Sequence, residues 1–190
     1  MSDQPQKPAI LLVDDEPEIL FSLKGLLRRE FNLYTAESGK EALEILREHP
    51  IDVIMTDQRM PEMTGIELMG KVKTKYPHAI RIVFTGYADI RAVIDAINNG
   101  GLFRYITKPW DPDDLMDVLK QAVDAHNGMI AEKSVISDAD GLIRDIQQLT
   151  LRHAQSGSGE SQSQELQALA IRAESLLPRL SELLATKPTP

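Results

Sequence analysis

The sequence contains no cysteine, which excludes disulfide bonds and thiolate chemistry in its 190 residues. No apolar run approaches the roughly 20 residues that a membrane-spanning helix needs, and residues 1–8 are polar, unlike a secretory signal peptide. Basic residues are also scarce, since 21 Lys and Arg stand against 29 Asp and Glu, a net charge of −8. We therefore expect a cytoplasmic protein without a membrane partner, and nucleic acid is a poor partner because a net negative surface repels phosphate.

Short apolar runs alternate with amphipathic segments over the first 126 residues. The predicted strands are residues 9–13, 31–36, 51–56, 80–85 and 102–107, and the predicted helices follow Pro17, Ser38 and Thr64 and cover residues 89–99 and 111–126. Strict alternation of strands and helices predicts a parallel sheet with right-handed crossovers. We predict an α/β fold of the flavodoxin-like, doubly wound (βα)5 type with strand order 2-1-3-4-5, and another doubly wound order is the alternative.

The remaining third of the chain has no strand pattern and is predicted to be a C-terminal α-helical extension. The predicted organisation is a disordered N-terminus at residues 1–7, a first domain at 8–127, a helical extension at 128–154, a flexible Gly/Ser/Gln linker at 155–164, an amphipathic helix at 165–184 and a disordered C-terminus at 185–190. In the amphipathic helix, leucines recur three and four residues apart, as in a coiled-coil seam, although Pro178 is expected to kink or split it. Two interpretations stay open: self-association, or a helix that folds back on its own domain.

Polar side chains stand where the predicted strands end. Asp14 and Asp15 follow the first strand, Asp57 the third, Thr85 ends the fourth, and Lys108 follows the fifth. Parallel strands deliver their carboxyl ends to one edge of the sheet, so we expect the three carboxylates to converge there. Three like charges need neutralisation, and Mg²⁺, which prefers oxygen ligands, fits best. Taken singly, the acidic pair could cap a helix, and the lysine could be a solvated surface residue.

Four stretches in this order resemble the receiver domain of response regulators, the phosphorylated component of two-component signalling. They are residues 10–17 (ILLVDDEP), 52–65 (DVIMTDQRMPEMTG), 82–88 (IVFTGYA) and 104–110 (RYITKPW). Together they span nearly all of residues 8–127. Each stretch alone is a weak signal, but all four at these spacings are specific.

The resemblance implies a role for each residue at the predicted site. Asp57 would accept a phosphoryl group from a sensor histidine kinase or a phosphotransfer protein of a phosphorelay. Asp14, Asp15 and the backbone carbonyl of Arg59 would hold Mg²⁺ together with Asp57. Lys108 would pair with the phosphoryl group. The implied protein is a signalling switch and not an enzyme, with self-phosphotransfer and autodephosphorylation as its only chemistry.

The resemblance also implies how the switch would work. Thr85 would move toward the phosphoryl group and Tyr105 would turn inward, changing the face formed by the predicted helix 89–99, the last strand and the helix after it. The bond between Lys108 and Pro109 is typically cis in this family. Arg59 and Tyr87, two residues beyond the acceptor and the switch hydroxyl, are expected to flank the attacking water and tune the phosphate lifetime.

The signalling switch has several alternatives. The switched face would control an unknown downstream protein, or a homodimer, through the helical tail. A DNA-binding transcriptional regulator with an unrecognised output region is the alternative, although residues 128–190 carry six basic against eight acidic residues. An aspartyl-phosphate hydrolase would place a second acid where Arg59 stands. A flavin carrier would need a hydroxyl-rich loop where Asp14 and Asp15 stand.

Overall fold

The computed structural model describes residues 7–86, 94, 97, 101–156 and 160–186. Its strands are β1 (Ala9–Val13), β2 (Asn32–Ala36), β3 (Val53–Asp57), β4 (Ile80–Thr85) and β5 (Arg104–Thr107). Its helices are α1 (Pro17–Leu27), α2 (Gly39–Glu48), α3 (Gly65–Lys75), α4 (Pro112–Ser156) and α5 (Glu160–Thr186). The helix predicted at residues 89–99 lies outside the described residues, except for positions 94 and 97, which are helical. The chain divides into two compact units, Met1–Asn127 and Gly128–Pro190.

The first unit is a five-stranded sheet in the order β2-β1-β3-β4-β5, with every neighbouring pair parallel. This confirms the predicted flavodoxin-like order. Successive side chains of a strand point to opposite faces, and β1 accordingly supplies one apolar cluster on each side of the sheet. Helix α1 and the first part of α4 cover one face, while α2 and α3 cover the other. The order reverses between β1 and β3, and this reversal positions the site.

Helix α3 starts at a complete capping box. The Thr64 hydroxyl accepts from the Glu67 N–H, and the Glu67 carboxylate accepts from the Thr64 N–H at 2.9 Å. The corresponding capping box at Ser38 and Glu41, before α2, is only half formed. The Ser38 hydroxyl accepts from the Glu41 N–H, but the Glu41 carboxylate accepts from the N–H of Glu37, one residue earlier in the chain. The helix start is therefore fixed more tightly at α3, which adjoins β3 in sequence.

The second unit consists of the later part of α4 and all of α5. Helix α4 is continuous and includes all of the helical extension predicted at residues 128–154. Helix also covers both ends of the predicted 155–164 linker, so that within it only residues 157–159 lie outside the described helices. Helix α5 runs through Pro178 without the split that its missing N–H suggested. Polar Ser and Gln are tolerated in a helix that gains its stability by packing on a neighbour.

The apolar seam of α5 is buried or half-buried within this unit, apart from Leu166. It packs against the later part of α4, and the residues of this cluster are Val135, Ala139, Leu142, Leu169, Ala173, Leu176, Leu180 and Leu183. The predicted heptad pattern is thus satisfied by the preceding helix of the same chain. Leu166, the first residue of the predicted seam, is 55% exposed.

Candidate functional site

Asp57 is the last residue of β3 and lies at the edge of the sheet where the strand order reverses. It is 7% exposed. One of its carboxylate oxygens lies 2.5 Å from the Lys108 ammonium, and the other accepts the Arg59 backbone N–H at 2.5 Å. Both oxygens are therefore held in place, and this carboxylate is presented at the end of a buried strand.

Asp14 follows β1 and is almost completely buried. Its Oδ1 accepts the Glu16 N–H at 3.0 Å, and its Oδ2 accepts a hydrogen bond from Lys108 Nζ at 3.1 Å. A single ammonium thus bridges two carboxylates that are 43 residues apart in sequence. The contact depends on β1 and β3 being neighbours, as their parallel register shows.

The Lys108 ammonium also lies over aromatic rings. Its Nζ is 5.9 Å from the ring centres of both Phe84 and Trp110, and these two rings lie 4.6 Å apart. A cation is attracted to the face of an aromatic ring at such distances. The rings therefore help to hold the ammonium over the carboxylates. Sequence reasoning missed both aromatics, because their pairing across β4 and the loop after β5 is visible only in three dimensions.

Burial and charge act in opposite directions on the titrating groups. Burial raises the pKa of the Asp14 carboxyl, and the hydrogen bonds from Glu16 and Lys108 only partly offset it. Burial by itself lowers the pKa of Lys108, but hydrogen bonds to Asp57 and Asp14 and their negative charges outweigh it, so this pKa is raised overall. The ammonium therefore stays charged at neutral pH.

Asp15 is exposed, unlike its neighbour Asp14. Within the described part of the chain, no three His, Cys, Asp or Glu side chains are grouped so that they could hold a metal ion. Two of the three predicted carboxylates do converge on one cationic group, and their oxygens are the hard donors that Mg²⁺ prefers. Since Mg²⁺ often uses only one or two protein carboxylates and keeps several waters, this donor set fits it.

The loop between β3 and α3 is held against the site by Gln58 and Gly65. The Gln58 backbone carbonyl accepts the Gly65 N–H at 3.1 Å, and its side-chain oxygen accepts the Ile66 N–H at 3.1 Å, which satisfies two N–H groups of the first helical turn. A Cβ on Gly65 would lie 2.3 Å from the Asp57 carbonyl oxygen. Only glycine allows α3 to start this close to the end of β3.

We expect Gly65→Ala to lower the free energy of unfolding by about 1–3 kcal/mol, because the added methyl group overlaps backbone that cannot move aside. The matched control is Gly70→Ala in the same helix, where an added Cβ meets nothing within 4 Å. Alanine is the better helix former there, so the control should be neutral or slightly stabilising. Urea unfolding of both variants measures the difference, and equal stabilities would contradict the proposed contact.

The two predicted switch residues lie near the same edge of the sheet. Thr85 ends β4 and is fully buried, and its hydroxyl donates to the Gly86 carbonyl at 3.0 Å. The Thr85 carbonyl accepts the Lys108 N–H at 2.9 Å, which ties the lysine loop to β4. Tyr105, in β5, is half-buried and packs against the apolar cluster beneath α2 and α3. Both side chains therefore occupy defined positions that a change at Asp57 could alter.

The remaining predicted site residues differ in how they are placed. Arg59 has an exposed side chain, and its backbone N–H is bonded to Asp57. Tyr87 lies outside the described residues. The peptide bond between Lys108 and Pro109 is cis, as in the resembling family.

The family model described as the response regulator receiver domain matches residues 10–120, which is more than half of the chain. The chain belongs to the response regulator receiver family. The match covers every site residue described above, and it confirms the resemblance to receiver domains found in the sequence. The fold and function class inferred from the sequence are therefore those of a receiver domain.

Relatives of known name include two transcriptional regulatory proteins. The hydrogenase transcriptional regulatory protein HoxA of Cupriavidus necator is 42% identical over 125 residues, which are 66% of this chain and 26% of HoxA. The transcriptional regulatory protein ZraR of Escherichia coli K12 is 30% identical over 184 residues, covering 87% of this chain and 41% of ZraR. The chain thus spans well under half the length of these relatives.

A similar solved structure is the response regulator protein TrrA of Thermotoga maritima, in complex with Mg²⁺ and BeF. It is 32% identical, with a TM-score of 0.55, and the match covers 60% of this chain and 98% of that chain. None of the described helices combines the length and apolar character that crossing a membrane requires.

Proposed function

We propose that Asp57 of this receiver domain accepts a phosphoryl group, in a site completed by Mg²⁺ and Lys108. The observation that carries this proposal is the convergence of the Asp57 and Asp14 carboxylates on one ammonium at the strand-order reversal. Ligands of open α/β sheets bind at this position. An isolated acidic pair would be costly to assemble, so its presence points to chemistry that uses cations.

The Asp57 carboxylate is the nucleophile. One of its oxygens attacks the phosphorus of a phosphohistidine, the new O–P bond forms as the P–N bond breaks, and the imidazole leaves. Lys108 lies 2.5 Å from Asp57 and is placed to neutralise the charge of the transferred group. Because this ammonium already contacts Asp57 before transfer, it needs little reorganisation during the reaction.

Asp14, Asp15 and the Arg59 carbonyl are proposed to hold Mg²⁺ together with Asp57. When bound, the metal would neutralise the equatorial phosphoryl oxygens. The support is the pair of buried carboxylates, with the exposed Asp15 next in the chain and open to a hydrated ion.

Phosphorylation is proposed to redirect the Thr85 hydroxyl from the Gly86 carbonyl to a phosphoryl oxygen. Tyr105, one strand away, would then turn inward and change the surface around β5. Couplings of this kind are typically ~1–3 kcal/mol. The unphosphorylated protein would therefore sample the switched form at low population.

The test of the proposed function is the mass of the intact chain after incubation with acetyl phosphate, with and without Mg²⁺. Addition of one phosphoryl group only in the presence of the metal supports the proposal. An unchanged mass, together with no spectral response to beryllofluoride, rejects it.

The donor kinase is proposed to dock beside α1. Phe21 in this helix is 81% exposed, a large apolar side chain on a helix that begins directly after the Asp14–Asp15 pair. Aromatic anchors of this kind often carry much of the binding energy of an interface. We expect Phe21→Ala to slow transfer from a phosphorylated histidine kinase about tenfold or more, as a loss of ~1.4 kcal/mol would.

Acetyl phosphate needs no docking surface, so its rate with Phe21→Ala should match that of the wild type. Ser22→Ala, at the next position of α1, is the control, since this exposed hydroxyl donates to the Glu18 carbonyl of its own helix. A variant slowed equally with both phosphodonors would show that Phe21 acts through the fold.

Arg59 and Tyr87 are proposed to set the lifetime of the aspartyl phosphate. The Arg59 backbone N–H is bonded to Asp57, and its exposed side chain is two residues beyond that carboxylate in the chain. We expect the double replacement by Ala to change the half-life several-fold. Time-resolved loss of label measures it, with Arg47→Ala on α2 as the control, and an unchanged half-life would count against both residues.

The second candidate function is a phosphorylation-controlled transcriptional regulator. The net charge of −8 led us to expect that nucleic acid is a poor partner. The relatives include transcriptional regulatory proteins, so they do not support that expectation. A salt-dependent mobility shift with DNA would favour this candidate.

A further inference from the structure

Two ion pairs join α4 and α5 along one side of the helix pair in the second unit. Arg172 is bonded to Asp145, and Arg179 lies 2.7 Å from Asp138. The two ion pairs are seven residues apart in both helices and in opposite order, so α5 runs antiparallel to the later part of α4. Arg179 also donates to the Ser134 hydroxyl at 3.2 Å. The ionic groups on this side are thus paired within the chain.

The opposite side of the same helix pair exposes several large apolar side chains, with Glu132 and Glu174 between them. Ile136 and Ile143 each precede an ion-paired aspartate by two residues, and Leu177 precedes Arg179 by two, an offset of about 200° around a helix. Ile136 and Ile143 are each 53% exposed, and Leu177 is 61% exposed. We call this side the apolar face. Its members are Met129, Ile136, Ile143, Ile146, Leu166, Ala170, Ala173 and Leu177.

The apolar face carries a ridge and a groove. Isoleucines at 136 and 143 project from α4, while α5 contributes the small side chains of Ala170 and Ala173. A groove of about 470 Å³ runs between the helices, lined by Ile146, Leu149, Thr150, Leu166, Leu169, Ala170 and Ala173. Its walls are almost entirely carbon. Exposure of such an apolar surface to water is unfavourable, and surfaces of this kind mark interaction sites.

We infer that the apolar face binds the same face of a second copy of this chain, forming a four-helix bundle. A two-fold interface is self-complementary, because residue i of one copy contacts residue j of the other and the reverse also holds. One face that carries both a ridge and a groove meets this condition: the ridge of each copy fills the groove of the other. Helix pairs that interdigitate in this way are the usual units of four-helix bundles.

The size of the face agrees with a dimer. Residues 129–150 extend about 30 Å along α4, and two packed helices are about 18 Å wide, so the face covers roughly 550 Å² in each copy. Two copies together would bury ~1,100 Å² or more, which passes the ~1,000 Å² expected of a specific interface. An anionic membrane surface fits less well, since this unit carries two more acidic than basic residues.

The proposal is tested by light scattering on the full chain. Wild type should have twice its monomer mass of 21.2 kDa, and Ile143→Glu should have the monomer mass. The control is Ile171→Glu on α5, which is 61% exposed but does not line the groove. It should stay dimeric. A monomeric wild type, or equal effects of the two variants, overturns the proposal, and unchanged helical circular dichroism shows that each variant is folded.

Thiol cross-linking gives an independent readout, because the chain has no cysteine of its own. A mixture of Ile143→Cys and Ala170→Cys chains should form disulfide-linked heterodimers, whereas Ile171→Cys should remain unlinked. Absence of linkage would overturn the proposal. A thiol at 143 that is then protected from alkylation would mean that another part of the chain or a different partner covers the face, and a freely reactive thiol would mean that the face is uncovered. The same pair of cysteine variants should cross-link equally well when Asp57→Asn is added to both chains, since dimerisation through this face does not depend on phosphoryl chemistry.

Discussion

Asp57→Asn should take up no phosphoryl group from acetyl phosphate or from a kinase. The amide keeps the size of the carboxylate but lacks its negative charge and its nucleophilic oxygen, so the in-line attack on phosphorus has no starting point. Loss of a covalent nucleophile usually removes several orders of magnitude of rate. Intact-mass spectrometry after incubation with Mg²⁺ and acetyl phosphate should show only unmodified chain.

Asp124→Asn is the matched control, because this aspartate is exposed on α4 within the same unit. It should be phosphorylated like the wild type. If Asp57→Asn still gained the phosphoryl mass at a similar rate, another side chain would be the acceptor. Peptide mapping of that product would then identify it, and the assignment of Asp57 would be withdrawn.

Lys108→Ala should destabilise the protein most when divalent ions are absent. Without the ammonium, the carboxylates of Asp57 and Asp14 face each other with no neutralising charge, at a cost of about 1–3 kcal/mol in the free energy of unfolding. Mg²⁺ should restore part of this loss, because a bound cation replaces the missing positive charge. Thermal unfolding with and without Mg²⁺ measures both effects.

The stabilisation by Lys108 should also depend on pH. The pKa of Lys108 is raised above its ordinary value of 10.5, so its stabilisation is fully present below that pH and is lost as the pH rises through the folded-state pKa. The stability difference between wild type and Lys108→Ala should therefore persist through neutral pH and shrink in strongly alkaline solution. Lys120→Ala, exposed on α4, should show neither effect. A Lys108→Ala protein as stable as this control in EDTA would contradict the bridging role.

The sheet could be predicted from the sequence because its signals are local and repeated. Each apolar run ends in a polar residue, and each is followed by a helical pattern, so that parallel topology and the shared carboxyl edge follow from general rules. Asp57, Thr85 and Lys108 were found in this way, since their positions depend only on where a strand ends. The details around them depend on contacts between distant segments.

Gly65 shows why those details were missed. A glycine after a helix N-cap has several explanations in a sequence, and its close approach to the Asp57 carbonyl appears only once β3 and α3 are packed. The burial of Asp14 beside an exposed Asp15 is a second case. Both were expected at the metal site, but neighbouring residues point to opposite sides as a strand ends, which puts only one of them against Lys108.

The tail was predicted less well than the receiver domain. Composition indicated a flexible linker at residues 155–164 and a break at Pro178, yet helix covers most of the first and passes through the second. Local propensity is a weak guide when a neighbouring helix supplies the stabilisation. Most of the predicted leucine seam packs against α4, but its first residue, Leu166, is exposed. Which surface the seam would contact was left open between self-association and folding back, because the spacing of leucines does not specify their partner.

Trp110 has a practical consequence for all of these experiments. It is the only tryptophan in the chain, and its ring centre lies 5.9 Å from the Lys108 ammonium, which contacts the Asp57 carboxylate. Indole fluorescence responds to nearby charge, so the emission of Trp110 should report metal binding or phosphorylation at Asp57 without an added dye. The receiver thus contains its own optical reporter, and titrations of metal, beryllofluoride or phosphodonor can be followed on the unmodified chain.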